Sequence, residues 1–179
     1  MNITLENLPE FTQEFLKNIS LKNWKAESGA TVILLHGNLG AGKTTFTKTF
    51  AKLLGVEEEV TSPTFVLMKR YELPNSNDKK DETLKQACLP ARQVQGDTFL
   101  GFKNLIHIDA YRLESGEEIE ALDFKEYISD KENIILIEWP EKIESAIELI
   151  PQQNIITLDF EVVDETTREI LVITNAKDN

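Results

Sequence analysis

Apolar residues recur at helical spacing at Leu8, Phe11, Phe15, Leu16 and Ile19, predicting an amphipathic helix that Asn7 caps and Pro9 enters in its first turn. The pattern then changes. Residues 30–36 form an apolar, β-branched run ending at Gly37, as expected of a buried strand. Over residues 43–54 the helical period returns, with Phe46, Phe50, Leu53 and Leu54 on one side and Gly55 as the stop. Residues 60–73 read as extended, interrupted at Ser62-Pro63. Residues 74–103 show little period and few large apolar positions before Phe99, and are expected to form an exposed insertion between two strands of a hairpin. Strands follow at 104–111 and 133–139. Between them lies an acidic helix over 115–122, opened by Ser115 with Glu118 three residues on. Residues 154–160 and 167–173 predict a terminal hairpin around Asp164-Glu165. Strands that alternate with helices and then give way to hairpins predict one α/β domain over residues 1–179, with a mixed, mainly parallel sheet flanked by helices and extended by β-hairpin additions.

Between the first buried strand and its helix the chain reads Gly37-Asn38-Leu39-Gly40-Ala41-Gly42-Lys43-Thr44, the spacing of a P-loop. Glycines allow a tight turn in which the amides of Gly40, Ala41 and Gly42 converge on an anion, and the helix N-terminus adds its positive end. Lys43 can reach the β- and γ-phosphates of a nucleotide, and the Thr44 hydroxyl is placed to ligate magnesium. Thr45 is the next contact, toward the α-phosphate. Phosphoryl transfer also needs an acid at the end of a neighbouring strand to hold the metal or its waters. Two apolar strands end in one, at Asp109 and at Glu138. The competing reading is that each acid merely caps its strand or pairs with Arg112 or Lys142. Thr61-Ser62-Pro63-Thr64 is a third candidate, a hydroxyl cluster able to touch the γ-phosphate or its metal, or equally a bulge on an edge strand. His36 and His107 read as packed strand residues, and Trp24 as a helix-end anchor.

Composition narrows the field. Of 179 residues, 31 are acidic and 19 basic, a net charge of -12 that disfavours a broad grip on nucleic-acid backbone. Such a chain needs a focused device to bind a polyanion, and the glycine-rich loop is one. Cys88 stands alone, which precludes an internal disulfide and fits a reducing cytosol. The acidic residues 1–10 lack the features of a secretion signal, and the run at 31–35 is too short to cross a bilayer. A cytoplasmic protein without membrane contact is therefore expected. The Asp-x-x-Gly and Asn-Lys-x-Asp signatures of common GTPases do not occur, nor does the Leu-Ser-Gly-Gly-Gln-like signature of transporter ATPases. A small-molecule kinase, with Asp109 or Glu138 as base, fits less well. Kinases usually gather several arginines, and only Arg70, Arg92, Arg112 and Arg168 are present. A nucleotide-sensing module with no need of hydrolysis is the remaining alternative.

Four segments occur in a familiar order: Gly-Asn-Leu-Gly-Ala-Gly-Lys-Thr-Thr at 37–45, Ser-Pro-Thr-Phe at 62–65, His-Ile-Asp-Ala-Tyr-Arg-Leu at 107–113 and Ile-Glu-Trp-Pro-Glu at 137–141. Together, across residues 3–73 and 104–173, they resemble the TsaE family (also called YjeE), bacterial P-loop ATPases needed to make threonylcarbamoyladenosine in tRNA. The resemblance implies a P-loop NTPase fold, ATP or ADP with Mg2+ as ligands, and weak hydrolysis activated by the partners TsaD and TsaB, with tRNA reached only through them. It implies that Lys43, Asp109 and Glu138 serve catalysis. Thr44 and Glu138 would hold magnesium with Asp109 close by, Trp139 would lie beside the nucleotide, and Arg168 would contact it from the terminal hairpin. Two features depart from the family. Asn38 stands where an Asp is usual, and the insertion at 74–103 exceeds the usual hairpin turn.

Overall fold

Alternate residues of the central strands bury into two different cores, and this divides the protein into three layers. In a computed structural model, residues 1–21, 26–61, 67–74 and 101–174 are described. Ser62, Pro63, Thr64, Trp24, Cys88, Arg92 and most of the expected insertion lie outside them. The strands are β1 (Asn2–Thr4), β2 (Thr31–Gly37), β3 (Met68–Glu72), β4 (Asn104–Asp109), β5 (Asn133–Glu138), β6 (Ile155–Val162) and β7 (Thr167–Thr174). They form one seven-stranded sheet in the order β1-β7-β6-β2-β5-β4-β3. The centre is parallel, β6 with β2, β2 with β5 and β5 with β4. Both flanks are antiparallel, β3 on β4 at one side and β7 and β1 beyond β6 at the other. The sheet is thus mixed, as predicted, with its parallel pairings gathered around β2 and β5.

Helices α1 (Leu8–Leu21) and α2 (Lys43–Leu53) cover one face. There Ile33, Leu35, Leu105, Ile134 and Leu136 pack with Phe15, Phe46, Phe50 and Phe160. The ring centroid of Phe46 lies 5.7 Å from that of Phe50, 5.8 Å from Phe160 and 5.9 Å from Phe15. This cluster fixes the first turn of α2, which follows the glycine-rich loop. The other face carries α3 (Gly116–Glu120), α4 (Phe124–Ser129) and α5 (Glu144–Ile147). Val32, Leu34, Ile106, Ile108, Ile135 and Ile137 meet Ile119, Phe124, Ile143 and Ala146 there. Because both faces of β2, β4 and β5 are covered, their sequences are apolar through most of their length, broken inside β4 by the buried His107, which is the pattern that predicted them.

Local details differ from expectation in instructive ways. The Asn7 carbonyl starts α1, accepting from Phe11 N, but its side chain turns backward to accept from Thr4 N at 2.6 Å. It fixes the turn between β1 and α1 instead of capping the helix. The pattern also gave no sign of β1, three residues anchored by Ile3, nor of the short helices α4 and α5. Ser115 and Glu118 do form the predicted capping box at α3. At the root of the expected insertion, Leu73 N donates to Lys103 O at 2.8 Å, extending the β3–β4 ladder. Among the described residues no helix is long and apolar enough to cross a membrane.

Candidate functional site

Three central strands end at one edge, and after two of them, β2 and β5, the chain leaves that edge through positive-φ backbone. After β2, Gly37, Gly40 and Gly42 have φ of 132°, 77° and 103°. A Cβ at Gly37 would also collide with the Phe160 carbonyl oxygen. At Gly40 and Gly42 there is open space, so the backbone angle alone demands glycine. Gly42 is the N-cap of α2 and no side chain caps that helix. The leading amides of α2 therefore face the cleft without a side-chain acceptor, the arrangement that draws an anion.

The cleft has a volume of about 320 Å³ and is lined by Leu39 through Thr45 on one side and by Asp109, Tyr111, Glu138 and Trp139 on the other. Of the residues singled out from the sequence, Gly40, Ala41, Gly42, Lys43, Thr44, Thr45, Asp109, Glu138 and Trp139 all meet here. Asp109 and Glu138 are directly opposite in the β4–β5 register, both nearly buried. Arg168 is brought close but does not line the cleft. Its Nη2 donates to Gly40 O at 3.3 Å, while Nη1 donates to Asp164 O at 2.8 Å and Thr167 O at 3.0 Å. Asp164 stiffens that hairpin. Hydrogen bonds from Thr166 N and Oγ1, and from Thr167 N, hold its carboxyl below the usual carboxylate range.

Lys43 is buried, and its Nζ donates to the carbonyls of Gly37 and Asn38 and lies 3.8 Å from the centre of the Trp139 ring. Burial lowers its pKa, although Glu138, Glu141 and Asp109 pull the other way. Trp139 has φ of 61°, unusual for a bulky residue and more so before Pro140. Such a conformation costs on the order of 1–3 kcal/mol and is held by its surroundings. The Tyr111 ring packs on it at 5.0 Å.

Glu138 is held from two sides. Thr44 Oγ1 donates to its Oε2 at 2.7 Å, and His107 Nε2 meets its Oε1 at 2.8 Å, with Thr47 Oγ1 3.4 Å from the same oxygen. The competing reading of Glu138 as a partner of Lys142 is thereby replaced. Asp109 Oδ1 accepts from Tyr111 N at 3.1 Å, closing the turn after β4. His107 is packed, as the sequence suggested, and it also bonds the acid. Alternation carried that signal, because His107 and Asp109 are two apart on one strand and so share a face. His36 is not a packed residue. It is half-exposed at the end of β2, with Nδ1 3.5 Å from Glu141 Oε2. Thr47 had no sequence signal, and Tyr111 carried one only as part of the segment at 107–113.

The arrangement offers amides and one ammonium for an anion, next to a hydroxyl and two carboxylates for a hard cation. Among the described residues there is no group of three or more His, Cys, Asp or Glu that could hold a metal by themselves. Magnesium fits such a set, since it commonly takes one or two carboxylates and completes its shell with phosphates and water.

Comparison with known proteins points the same way as the four sequence segments. The family model described as Threonylcarbamoyl adenosine biosynthesis protein TsaE matches residues 6–82 and 92–170. The tRNA threonylcarbamoyladenosine biosynthesis protein TsaE of Rickettsia felis is 34% identical over 149 residues, 83% of this chain and 68% of that protein. The protein of the same name from Bacillus subtilis is 37% identical over 124 residues, 69% of this chain and 58% of that protein. The crystal structure of YdiB from Bacillus subtilis is 26% identical, covers 90% of this chain and 77% of that chain, and has a TM-score of 0.49. The chain belongs to the TsaE family of threonylcarbamoyl adenosine biosynthesis proteins.

Proposed function

We propose that this chain is a cytoplasmic, magnesium-dependent ATPase that serves the making of threonylcarbamoyladenosine in tRNA, slow alone and activated by TsaD and TsaB. One observation carries the reading. The hydroxyl that follows the loop lysine, Thr44 Oγ1, is bonded at 2.7 Å to Glu138, the acid closing the neighbouring strand. A hydroxyl that donates its hydrogen to a carboxylate keeps its lone pairs for a cation in the cleft.

In this reading the amides of Gly40 through Thr45 receive the phosphates. Lys43 exchanges its carbonyl partners Gly37 and Asn38 for the β- and γ-phosphate oxygens. Thr44 and Glu138 would hold magnesium, with Asp109 beside them, and the ion would supply charge neutralisation for a transferring phosphoryl group. Trp139 flanks the nucleotide, and Arg168 steadies the loop through Gly40 as it approaches from β7. Asn38, in place of the usual Asp, leaves this lip uncharged, a place where turnover can differ from that of relatives. A chain with net charge -12 reaches tRNA through its partners.

Phosphate release measured with and without TsaB, TsaD and tRNA tests the proposal. Stimulation by the partners, lost in Lys43→Ala and Glu138→Ala, is expected. Normal turnover by both variants in the presence of the partners would sink it.

A further inference from the structure

Glu138 can serve a cation only if its carboxylate is turned toward Thr44, and two buried bonds decide that orientation. Oε2 takes the Thr44 hydroxyl and Oε1 takes His107 Nε2. His107 is fully buried and Glu138 nearly so, 2% exposed. The imidazole has one direction in which to act, since its Nδ1 has no hydrogen-bond partner among the described residues. A buried nitrogen without a partner is less costly as a bare lone pair than as an N–H, and the partner of Nε2 is an acceptor. Both facts put the hydrogen on Nε2, donated to Glu138. Thr47, the other group near Oε1, donates at 3.1 Å to Lys43 O and is 3.4 Å from the carboxylate, which leaves His107 as its close donor.

We propose that His107 is a positioning residue that locks the Glu138 carboxylate toward Thr44 and so sets the affinity of the cleft for magnesium. This rests on the reading of Thr44 and Glu138 as the metal side of the site. The side chain lies behind Glu138 and does not line the cleft. Residues that orient a metal ligand from behind commonly change metal affinity about 10–100-fold when lost.

Substitutions that separate the donor from the packing test this. Glutamine can extend an amide N–H to where Nε2 lies, asparagine is too short, and leucine fills space without a donor. Calorimetry of ATP binding at increasing magnesium gives the metal concentration for half-maximal effect, and the same titration without metal gives the affinity for free ATP. His107→Leu and His107→Asn should raise the magnesium requirement about tenfold or more, with metal-free ATP affinity held within about twofold. His107→Gln should stay within about threefold of the parent protein. A glutamine variant as impaired as the leucine one, or a leucine variant with unchanged magnesium dependence, would overturn the proposal. The chain has two histidines, so imidazole 15N spectra in a His36→Gln background report His107 alone, with no nucleotide present. A proton on Nε2, disturbed by Glu138→Ala, is expected, and a proton resident on Nδ1 would overturn the assignment. Failure of the parent protein to bind ATP would instead remove the proposed function, while the spectra still judge the bond.

Discussion

Strands β4 and β5 begin with one pair of facing polar residues and end with another, and the two pairs are treated differently. At the start Asn104 lies opposite Asn133, and at the end Asp109 lies opposite Glu138. The starting pair closes on itself. Arg70 Nε donates to Asn104 Oδ1 at 3.0 Å, Asn104 Nδ2 to Asn133 Oδ1 at 2.8 Å, and Asn133 Nδ2 to Tyr127 O at 3.0 Å. Each amide there is neutral and bonded to protein, so the network fastens strands together and exposes nothing to bind. The finishing pair is charged and borders an open cleft. Around it are an uncapped helix start, a lysine buried at a loss to its own charge, and a tryptophan at positive φ. A fold can bury polar groups cheaply by pairing them. Where it leaves them aimed into a cleft beside strained backbone, the arrangement is explained by a ligand that completes it.

Substitutions at the two ends should therefore separate activity from stability. The largest effect is expected for Lys43→Ala, which should lower partner-stimulated phosphate release about 10²–10³-fold or more, by analogy with the loss of one charge-stabilising donor. Its melting temperature should hold or rise, because the substitution removes a buried cation. Glu138→Gln keeps an acceptor for His107 and presents an amide N–H that the Thr44 hydroxyl can turn to accept, but it loses the charge, so about 10²-fold slower turnover with near-parental denaturant midpoints is expected. At the closed end the order inverts. Asn133→Ala leaves Asn104 and the Tyr127 carbonyl without their partner and should cost about 1–3 kcal/mol in urea unfolding, with turnover per folded molecule unchanged. The smallest effect is a pH dependence. Burial lowers the Lys43 pKa from 10.5, so at neutral pH the folded protein bears a cost that the unfolded chain does not. As pH rises through the lowered value toward 10.5, the folded state loses the proton first and stability rises on this account. Lys43→Met should thus be the more stable protein at neutral pH. Its advantage should shrink with rising alkalinity when midpoints are compared across pH.

Much of this was legible in the chain because buried parallel strands and a glycine-rich loop each obey a local rule. Largely apolar runs marked β2, β4 and β5, and the spacing from Gly37 to Thr44 marked the loop with the correct strand and helix on either side. What escaped depends on long-range register. That Asp109 meets Glu138, that His107 bonds the same acid, and that Arg168 reaches Gly40 from another strand are consequences of pairing that local pattern does not contain. Asn7 shows the limit from the other side. Its residue type suits a helix cap, yet β1 offered the Thr4 amide and the side chain turned to it. The short helices α4 and α5 were also missed, because so few residues carry little periodicity.

In the proposed function the carboxyl edge of β2, β4 and β5 holds ATP with magnesium through Thr44 and Glu138. Calorimetric titration of ATP into the parent protein and into Glu138→Gln, with and without magnesium, tests it most directly. Magnesium should tighten ATP binding to the parent protein and give Glu138→Gln little or no such gain. An equal gain from magnesium in both proteins, or no ATP binding by the parent, would contradict it.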